Sequence, residues 1–311
     1  MSLHFFLDDP THGLTLDRRK THRHIQRSIA LSSHNIPPKD LLTEHKEAFR
    51  IIHERGPVCV LTGAGVSVDS GIPTFRGTDG LWRQYPPSLF GHTPGLIFTF
   101  ACFPKWFQSF LRDTIKTFVQ ATPNDTHTLL ATLEQQGLLS GIITQNVDQL
   151  HQDAGSQHVV EVHGNFFRSV CKTCKRQDTL SKDALRAFLN ELEGQPLGRI
   201  KLFKKLKQDL FTCPSCGGAR RPDMVFFGDP LDTSTWQEAI CLVKHNKVML
   251  VLGTSATVYP VAELPHIARE AGATLIEINP TPTALTPFVD LYIPDTSSRA
   301  LRLLVDDERH C

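Results

Sequence analysis

Apolar and polar positions along this chain follow two rhythms. Short, mostly apolar runs bounded by turn residues, Val58–Thr62, Gly141–Thr144, Val159–Val162, Val248–Leu252, Thr274–Ile278 and Val289–Ile293, predict strands buried on both faces. Between them, Leu42–Glu54, Thr126–Gln135, Val261–Ala271 and Ser298–Val305 carry the three-and-four spacing of amphipathic helices. Strand and helix in alternation imply an α/β fold, a parallel sheet with crossover helices. Two stretches break the rhythm. Residues 75–118 are rich in Pro, Gly and aromatics and predict a mobile loop with a small helical module; residues 166–222 carry paired cysteines and predict an insert. Within that insert Ala184–Leu192 and Ile200–Leu210 read as helices, the second studded with Lys201, Lys204, Lys205 and Lys207. No aromatic platform interleaves those lysines, so a solvated helix face is expected rather than a nucleic-acid surface.

Candidate chemistry sits where the predicted strands end. Gly63-Ala64-Gly65 follows the first strand directly, and a strand opening into glycines lets backbone N–H groups approach a pyrophosphate. The third glycine comes only at Gly71 and no acidic residue closes a second strand at the usual distance, so phosphate loop and plain tight turn both stay open on this motif alone. Asn146 and Asp148 follow the strand ending at Thr144, and His163 follows the strand ending at Val162. Ligands of open α/β sheets bind beyond the carboxyl ends of strands, so these side chains can meet in one cleft. The chain has fifteen histidines, and His163 stands out only through this constellation.

The eight cysteines divide into two groups. Cys171, Cys174, Cys213 and Cys216 form two Cys-x-x-Cys pairs with 38 residues between them, a spacing that places four thiolates around one tetrahedral ion and predicts a structural Zn²⁺. Cys59, Cys102, Cys241 and Cys311 are scattered through apolar or terminal contexts, which argues for a reducing compartment and against disulfides.

Taken together, GAGVSVDSGIPTFRG from Gly63 to Gly77, then TQNVDQLH, VVEVHGNF, CKTC, CPSCGG, RPDMVFFGD, GTSATVYP and EINP resemble, in order and wording, the sirtuins, a family of NAD-dependent protein lysine deacylases. The resemblance runs from about Leu41 to the C-terminus. It implies a Rossmann-like parallel sheet with helices on both faces, plus a smaller inserted zinc-binding and helical module. Its domains would be an NAD-binding domain over 41–165 and 223–311, a zinc-binding insert over 166–222, a cofactor loop and helical module over 75–118, and an N-terminal extension over 1–40. It implies NAD and one structural Zn²⁺ as cofactors, acylated-lysine proteins as substrates, and transfer of the acyl group to ADP-ribose with release of nicotinamide.

Residue roles carry over with the motifs. Gly63, Ala64 and Gly65 would line the pyrophosphate, Phe75 would shield the ribose, and Arg76 would anchor phosphate or orient the loop. Gln145 and Asn146 would contact ribose, while Val147 and Asp148 would hold the nicotinamide carboxamide. Gly253, Ser255 and Asn279 would meet the adenosine half. His163 would take a proton from a ribose hydroxyl, with Asn146 beside it holding an ordered water. Val225, Phe227 and Gly228 would bind the peptide, the segment adding to an extended substrate as a strand, with a buried edge strand as the plain alternative.

Two departures from the family bear on specificity. Thr74 stands where Asp is usual, as it does in the branch that removes succinyl and malonyl groups. That branch holds the acyl carboxylate with a Tyr-x-x-Arg pair, and here Leu111 and Thr114 occupy the matching places. An acidic acyl group would be unpaired in an apolar pocket, so neutral acyl groups are expected, acetyl first. A shifted register bringing in Lys105 or Arg112 would reverse this.

Composition adds limits. A hydrophobic content of 40% supports a real core, and a net charge of +1 supplies no global field to recruit nucleic acid or membrane. The longest uninterrupted apolar stretch, Val248–Leu252, is far short of a membrane span. A cytoplasmic monomer is expected. The basic run Arg18–His24 followed by Ile25–Ser33 offers a mitochondrial alternative, opposed by Asp8, Asp9 and Asp17. Protein mono-ADP-ribosyl transfer, NAD hydrolysis, or a binding module without activity remain the alternatives to deacylation.

Overall fold

In the computed structural model, residues 41–74, 81–193 and 196–306 are described. The N-terminal extension over 1–40, and Phe75 and Arg76 of the expected cofactor loop, lie outside them. Six parallel strands form the main sheet: β1 (Val58–Thr62), β2 (Leu139–Thr144), β3 (Val159–Glu161), β7 (Val248–Leu252), β8 (Thr274–Ile278) and β9 (Leu291–Ile293), in the order β3-β2-β1-β7-β8-β9. The chain winds outward from β1 in one direction and from β7 in the other. The topological switch therefore falls between β1 and β7, where open α/β sheets open a crevice.

Each strand's two faces feed two cores. Val58 and Val60 of β1 and Leu250 and Leu252 of β7 join Ile276 and Ile278 on one face. There they pack against α1 (Leu41–Arg55), α6 (Asp125–Gln135) and α12 (Ser297–Asp306) through Ile52, Leu130 and Leu301. Cys59, Leu61, Met249, Val251 and Leu275 point the other way, onto α10 (Thr233–His245) and α11 (Leu264–Glu270) through Val243 and Ala268. Burial on both sides is why these strands read as continuous apolar runs rather than alternating ones. The result is the expected Rossmann-like sheet with helices on both faces.

A second, antiparallel sheet, β5-β4-β6, is built from β4 (Gly164–Cys171), β5 (Gln177–Thr179) and β6 (Arg220–Met224). Around it stand α2 (Leu81–Gln84), α3 (Pro87–Phe90), α4 (Thr93–Cys102), α5 (Pro104–Gln120), α7 (Leu150–Asp153), α8 (Lys182–Leu192) and α9 (Arg199–Asp209). One core joins Phe107, Ile115 and Phe118 of α5 to Phe167, Phe188 and Leu202, so the helical stretch and the cysteine-bearing insert pack as one body. Arg168 links this body to the main sheet, its guanidinium bonded to Asp223 of β6 and, at 2.9 Å, to Glu161 of β3. The lysine face of α9 is solvated: Lys201, Lys204 and Lys207 are exposed, and Lys205 pairs with Glu191 and Asp209 at 2.6 Å. No described helix is long and apolar enough to cross a membrane.

Several element boundaries differ from the sequence pattern, three of them for a visible reason. The helix expected over Val261–Ala271 is a 3-10 turn, Val261–Glu263, followed by α11, because Pro265 has no N–H to give the Val261 carbonyl. The strand expected over Val289–Ile293 is paired only over Leu291–Ile293, since the Asp290 carboxylate takes the Leu275 N–H that a ladder carbonyl would otherwise accept. The strand expected over Gly141–Thr144 starts earlier, at Leu139, which pairs with Val58.

Below the strand ends lies a buried pair of imidazoles, His127 and His151, with ring centroids 4.8 Å apart. His127 Nδ1 lies 3.2 Å from the Asn124 backbone nitrogen and 3.1 Å from the Asn124 side-chain oxygen, and Nε2 has no partner. Burial pushes the His127 pKa down to about 4. A histidine held neutral in the folded state takes up protons more readily when unfolded, so this contribution is full above pH 6.5 and is lost as the pH falls toward 4. Unfolding free energy measured in urea is expected to drop by ~3 kcal/mol across that window on account of His127. His127→Gln should flatten the drop; a variant with the unchanged wild-type pH slope would contradict this assignment.

Candidate active site

The carboxyl ends of the main sheet open into a cavity of about 1220 Å³. Gly63, Ala64 and Gly65 after β1, Gln145, Asn146 and Val147 after β2, and His163 after β3 all line it. Across the switch point Gly253 and Ser255 after β7 and Asn279 after β8 complete that side. Val225, Phe227 and Gly228 border it from the antiparallel sheet, so these residues meet in one space. Asp148 does not line it; the carboxylate is buried one step behind.

At the switch point two backbones touch. The Gly65 N–H donates to the Gly253 carbonyl at 2.8 Å, and Gly253 sits at φ 57°. A Cβ on Gly65 would fall 2.7 Å from the Gly253 Cα and carbonyl oxygen, so only glycine allows the approach. Gln145 spans the same gap, its Nε2 donating to Thr254 Oγ1 at 2.8 Å.

Beneath the floor a polar network fixes Asn146. Its amide nitrogen donates to the Gly63 carbonyl and to Ser67 Oγ, both at 3.1 Å, and Ser67 Oγ donates to Asp148 Oδ2 at 2.6 Å. Burial raises the Asp148 pKa, opposed by the Ser67 bond and by the Leu150 N–H that Oδ1 accepts at 3.0 Å. From below, His151 Nε2 donates to Thr62 Oγ1 at 3.0 Å, Thr62 donates to Thr144 Oγ1 at 2.8 Å, and Thr144 accepts the Asn146 N–H at 3.1 Å. The Asn146 side chain is thereby held in one orientation toward the cavity.

His163 occupies the junction of the two sheets. The next residue, Gly164, has φ 77°, and a Cβ there would lie 2.0 Å from the Asp223 carbonyl oxygen, so the turn that ends β3 and starts β4 requires glycine. His163 Nδ1 lies 3.1 Å from the Gln145 carbonyl, which accepts its proton and leaves Nε2 with the free lone pair. Burial lowers the imidazole pKa below its ordinary 6.5, against the opposite pull of that carbonyl. A group of this kind is a neutral base at physiological pH.

The segment Val225–Gly228 lies outside the antiparallel sheet. β6 stops at Met224, and the chain turns, with Asp229 N–H donating to the Phe226 carbonyl at 2.9 Å. Val225 N–H donates to the His163 carbonyl at 3.0 Å, Phe227 N–H to the Gly91 carbonyl at 2.8 Å, and His92 Nδ1 donates to the Phe227 carbonyl at 2.6 Å. These bonds tie the segment to the base and to the helical module, and Phe227 remains 38% exposed, so it is not a buried edge strand.

Away from the cavity, the Sγ atoms of Cys171, Cys174, Cys213 and Cys216 all lie within 4.8 Å of one another. Cys171 and Cys216 sulfurs are 3.5 Å apart and those of Cys174 and Cys213 are 3.8 Å apart. Four thiolates at about 2.3 Å from a tetrahedral Zn²⁺ stand about 3.8 Å from each other, and disulfides would need about 2 Å. The N–H of Cys174 points at Cys171 Sγ and that of Gly218 at Cys216 Sγ, at 3.5 and 3.4 Å, donors that suit metal-bound thiolates. The set fits one structural zinc ion, with every ligand position filled by protein.

A model of the Sir2 family matches residues 63–260. This chain belongs to the Sir2 family. The NAD-dependent protein deacylase of Pyrococcus furiosus is 39% identical over 85% of this chain and 97% of its own length. The NAD-dependent protein deacetylase of Caldivirga maquilingensis is 38% identical over 84% of this chain and 93% of its own. Among solved structures, a Sir2 homologue in complex with NAD superposes with a TM-score of 0.69 at 34% identity, covering 85% of this chain and 94% of that one.

Some residues of this Sir2-family site carried no role in the sequence reading. Ser67 joins Asn146 to Asp148, and its only signal was its place two residues after the second glycine of the loop. Thr62 and Thr144 were legible as polar side chains closing apolar strands, a position that needs a hydrogen-bond partner once buried. The first turn of α12, through Ser297 and Ser298, also lines the cavity, although its pattern spoke only of packing.

Zinc should be structural. Metal analysis is expected to find one Zn²⁺ per chain, and prolonged chelation or Cys213→Ser is expected to lower the thermal midpoint and expose the β4–β6 amides to hydrogen exchange. Wild-type zinc content and midpoint in Cys213→Ser would contradict the four-thiolate site.

Proposed function

We propose that this protein is an NAD-dependent protein lysine deacylase acting on neutral acyl groups, acetyl first. The observation that carries the reading is the single cavity bordered by the glycine loop, by Asn146 and His163, and by the Phe227 segment. The strand-end half offers glycine backbone, hydroxyls and amides to a dinucleotide, while Phe90, Phe110, Phe118 and Phe166 offer an apolar channel to an acyl-lysine. The names of the relatives agree, each being an NAD-dependent protein deacylase or deacetylase.

NAD is a substrate in this reaction, since it is consumed. Loss of nicotinamide develops positive charge on the ribose carbon, and the acyl-lysine carbonyl oxygen bonds there. The nucleophile is weak, so positioning supplies much of the rate. Asn146, held from both sides, orients the ribose. His163 Nε2 then accepts the proton of a ribose hydroxyl, whose oxygen adds to the amide carbon. Water completes release of the lysine amine and leaves the acyl group on ADP-ribose.

Neutral acyl groups follow from the cavity wall. Among the described residues that line it there is no lysine or arginine; Arg112 is bound to the neighbouring Asp113 at 3.0 Å, and Lys105 is exposed. Neither brings a cation to an acyl carboxylate, which supports the ungapped register with Leu111 and Thr114 at the two places.

Mass spectrometry of an acetyl-lysine peptide with the protein and NAD is expected to show loss of acetyl matched by nicotinamide and acetyl-ADP-ribose. His163→Tyr should lower that rate at least about 100-fold, the usual contribution of a general base, while the fold persists. Because burial lowers the His163 pKa, the acid limb of kcat/KM should lie below pH 6.5. Undiminished deacylation by His163→Tyr would refute its role, and nicotinamide release without acyl loss would favour ADP-ribosyl transfer or NAD hydrolysis.

A further inference from the structure

Away from the cavity, five large apolar side chains of the helical body stand in solvent. Ile97 and Phe98 of α4, Phe103 just after it, and Ile200 and Phe203 of α9 are between 49% and 71% exposed, so they protrude rather than line a groove. The Phe98 and Phe103 rings are 6.0 Å apart, Phe203 meets Phe100 at 6.2 Å, and Arg199 donates to the Ala101 carbonyl at 3.1 Å. The end of α4 and the start of α9 therefore make one patch. None of the five lines the active-site cavity. Scattered exposed apolar residues need no explanation, but a cluster of them marks an interaction site.

The charge around this patch has one sign. Lys105, Arg199, Lys201, Lys204 and Lys207 flank it, all exposed, and residues 93–106 and 196–208 contain no Asp or Glu. Glu191 and Asp209 both pair with Lys205 at 2.6 Å rather than with these cations. On α9, Ile200, Phe203, Lys204 and Lys207 recur at three and four residues, which sets lysines beside apolar side chains on one helix face. We propose that this patch seats the protein on an anionic lipid surface, the phenylalanines and isoleucines entering the interfacial layer and the cations meeting the headgroups. A second copy of the chain fits worse, because a two-fold contact would set the cations of one copy against those of the other. A partner helix would need a groove, which protruding side chains do not form. The net charge of +1 gives no long-range attraction, so the contact depends on these side chains.

The test measures co-sedimentation of the full chain with vesicles of phosphatidylcholine alone, or with about a third phosphatidylserine, at physiological ionic strength. Wild type is expected to bind the anionic vesicles, to bind the neutral ones far more weakly, and to lose binding as salt rises. Phe103→Ser/Phe203→Ser should lower the partition coefficient at least about tenfold. Lys204→Gln/Lys207→Gln should lower it about thirtyfold, the factor of ~1 kcal/mol for each cation. All four side chains are exposed, and zinc content with circular dichroism verifies that each variant is folded. Absence of wild-type binding overturns the proposal, as does equal binding to neutral vesicles. So does anionic-vesicle binding that survives in both variants, the result expected if the basic run Arg18–His24 carried it. Wild-type dimers that form without vesicle binding and are lost in Phe103→Ser/Phe203→Ser would overturn it in favour of a second copy.

Discussion

The backbone contact between Gly65 and Gly253 organises the rest of this site. It joins the ends of β1 and β7 at the point where the sheet changes winding direction, and it exists because neither residue has a Cβ. With the two loops so close, Gln145 can reach Thr254, and Asn146 can reach the Gly63 carbonyl. A bulkier residue at Gly65 would push the strand ends apart and undo all three contacts. Close packing leaves no slack into which that displacement could be absorbed.

The second organising feature is the turn at His163–Gly164. It ends a parallel strand of one sheet and begins an antiparallel strand of the other, so the imidazole stands where the two bodies meet. Its Nδ1 is bound by the Gln145 carbonyl and its own carbonyl accepts the Val225 N–H. The base is therefore tied on one side to the residues facing the dinucleotide half and on the other to the segment facing the acyl half. The zinc-type cysteine cluster acts at a distance, pinning the far end of the antiparallel sheet whose near end carries Gly164 and Met224.

Much of this was legible in the sequence because the signals were local. Val58–Thr62, Val248–Leu252 and Thr274–Ile278 read as strands and are strands, since burial on both faces leaves an unbroken apolar run. The Cys-x-x-Cys spacing gave the metal set, and the positions after strands located the cavity-lining residues. What stayed hidden depended on long-range partners. Asp148 was assigned to the cofactor from its motif, which did not announce the bonds its oxygens make to Ser67 and the Leu150 N–H. The bend after Met224 depends on Gly91 and His92, which stand far earlier in the chain.

The most direct test of the account is the affinity of Gly65→Ala for NAD, measured by calorimetry beside wild type, with zinc content and far-UV circular dichroism confirming that the variant is folded. The added methyl group would lie 2.7 Å from Gly253, so a folded variant is expected to lose NAD affinity by at least about tenfold, the factor of ~1.4 kcal/mol. A folded Gly65→Ala that binds NAD as tightly as wild type would contradict the claim that this glycine contact shapes the cofactor site.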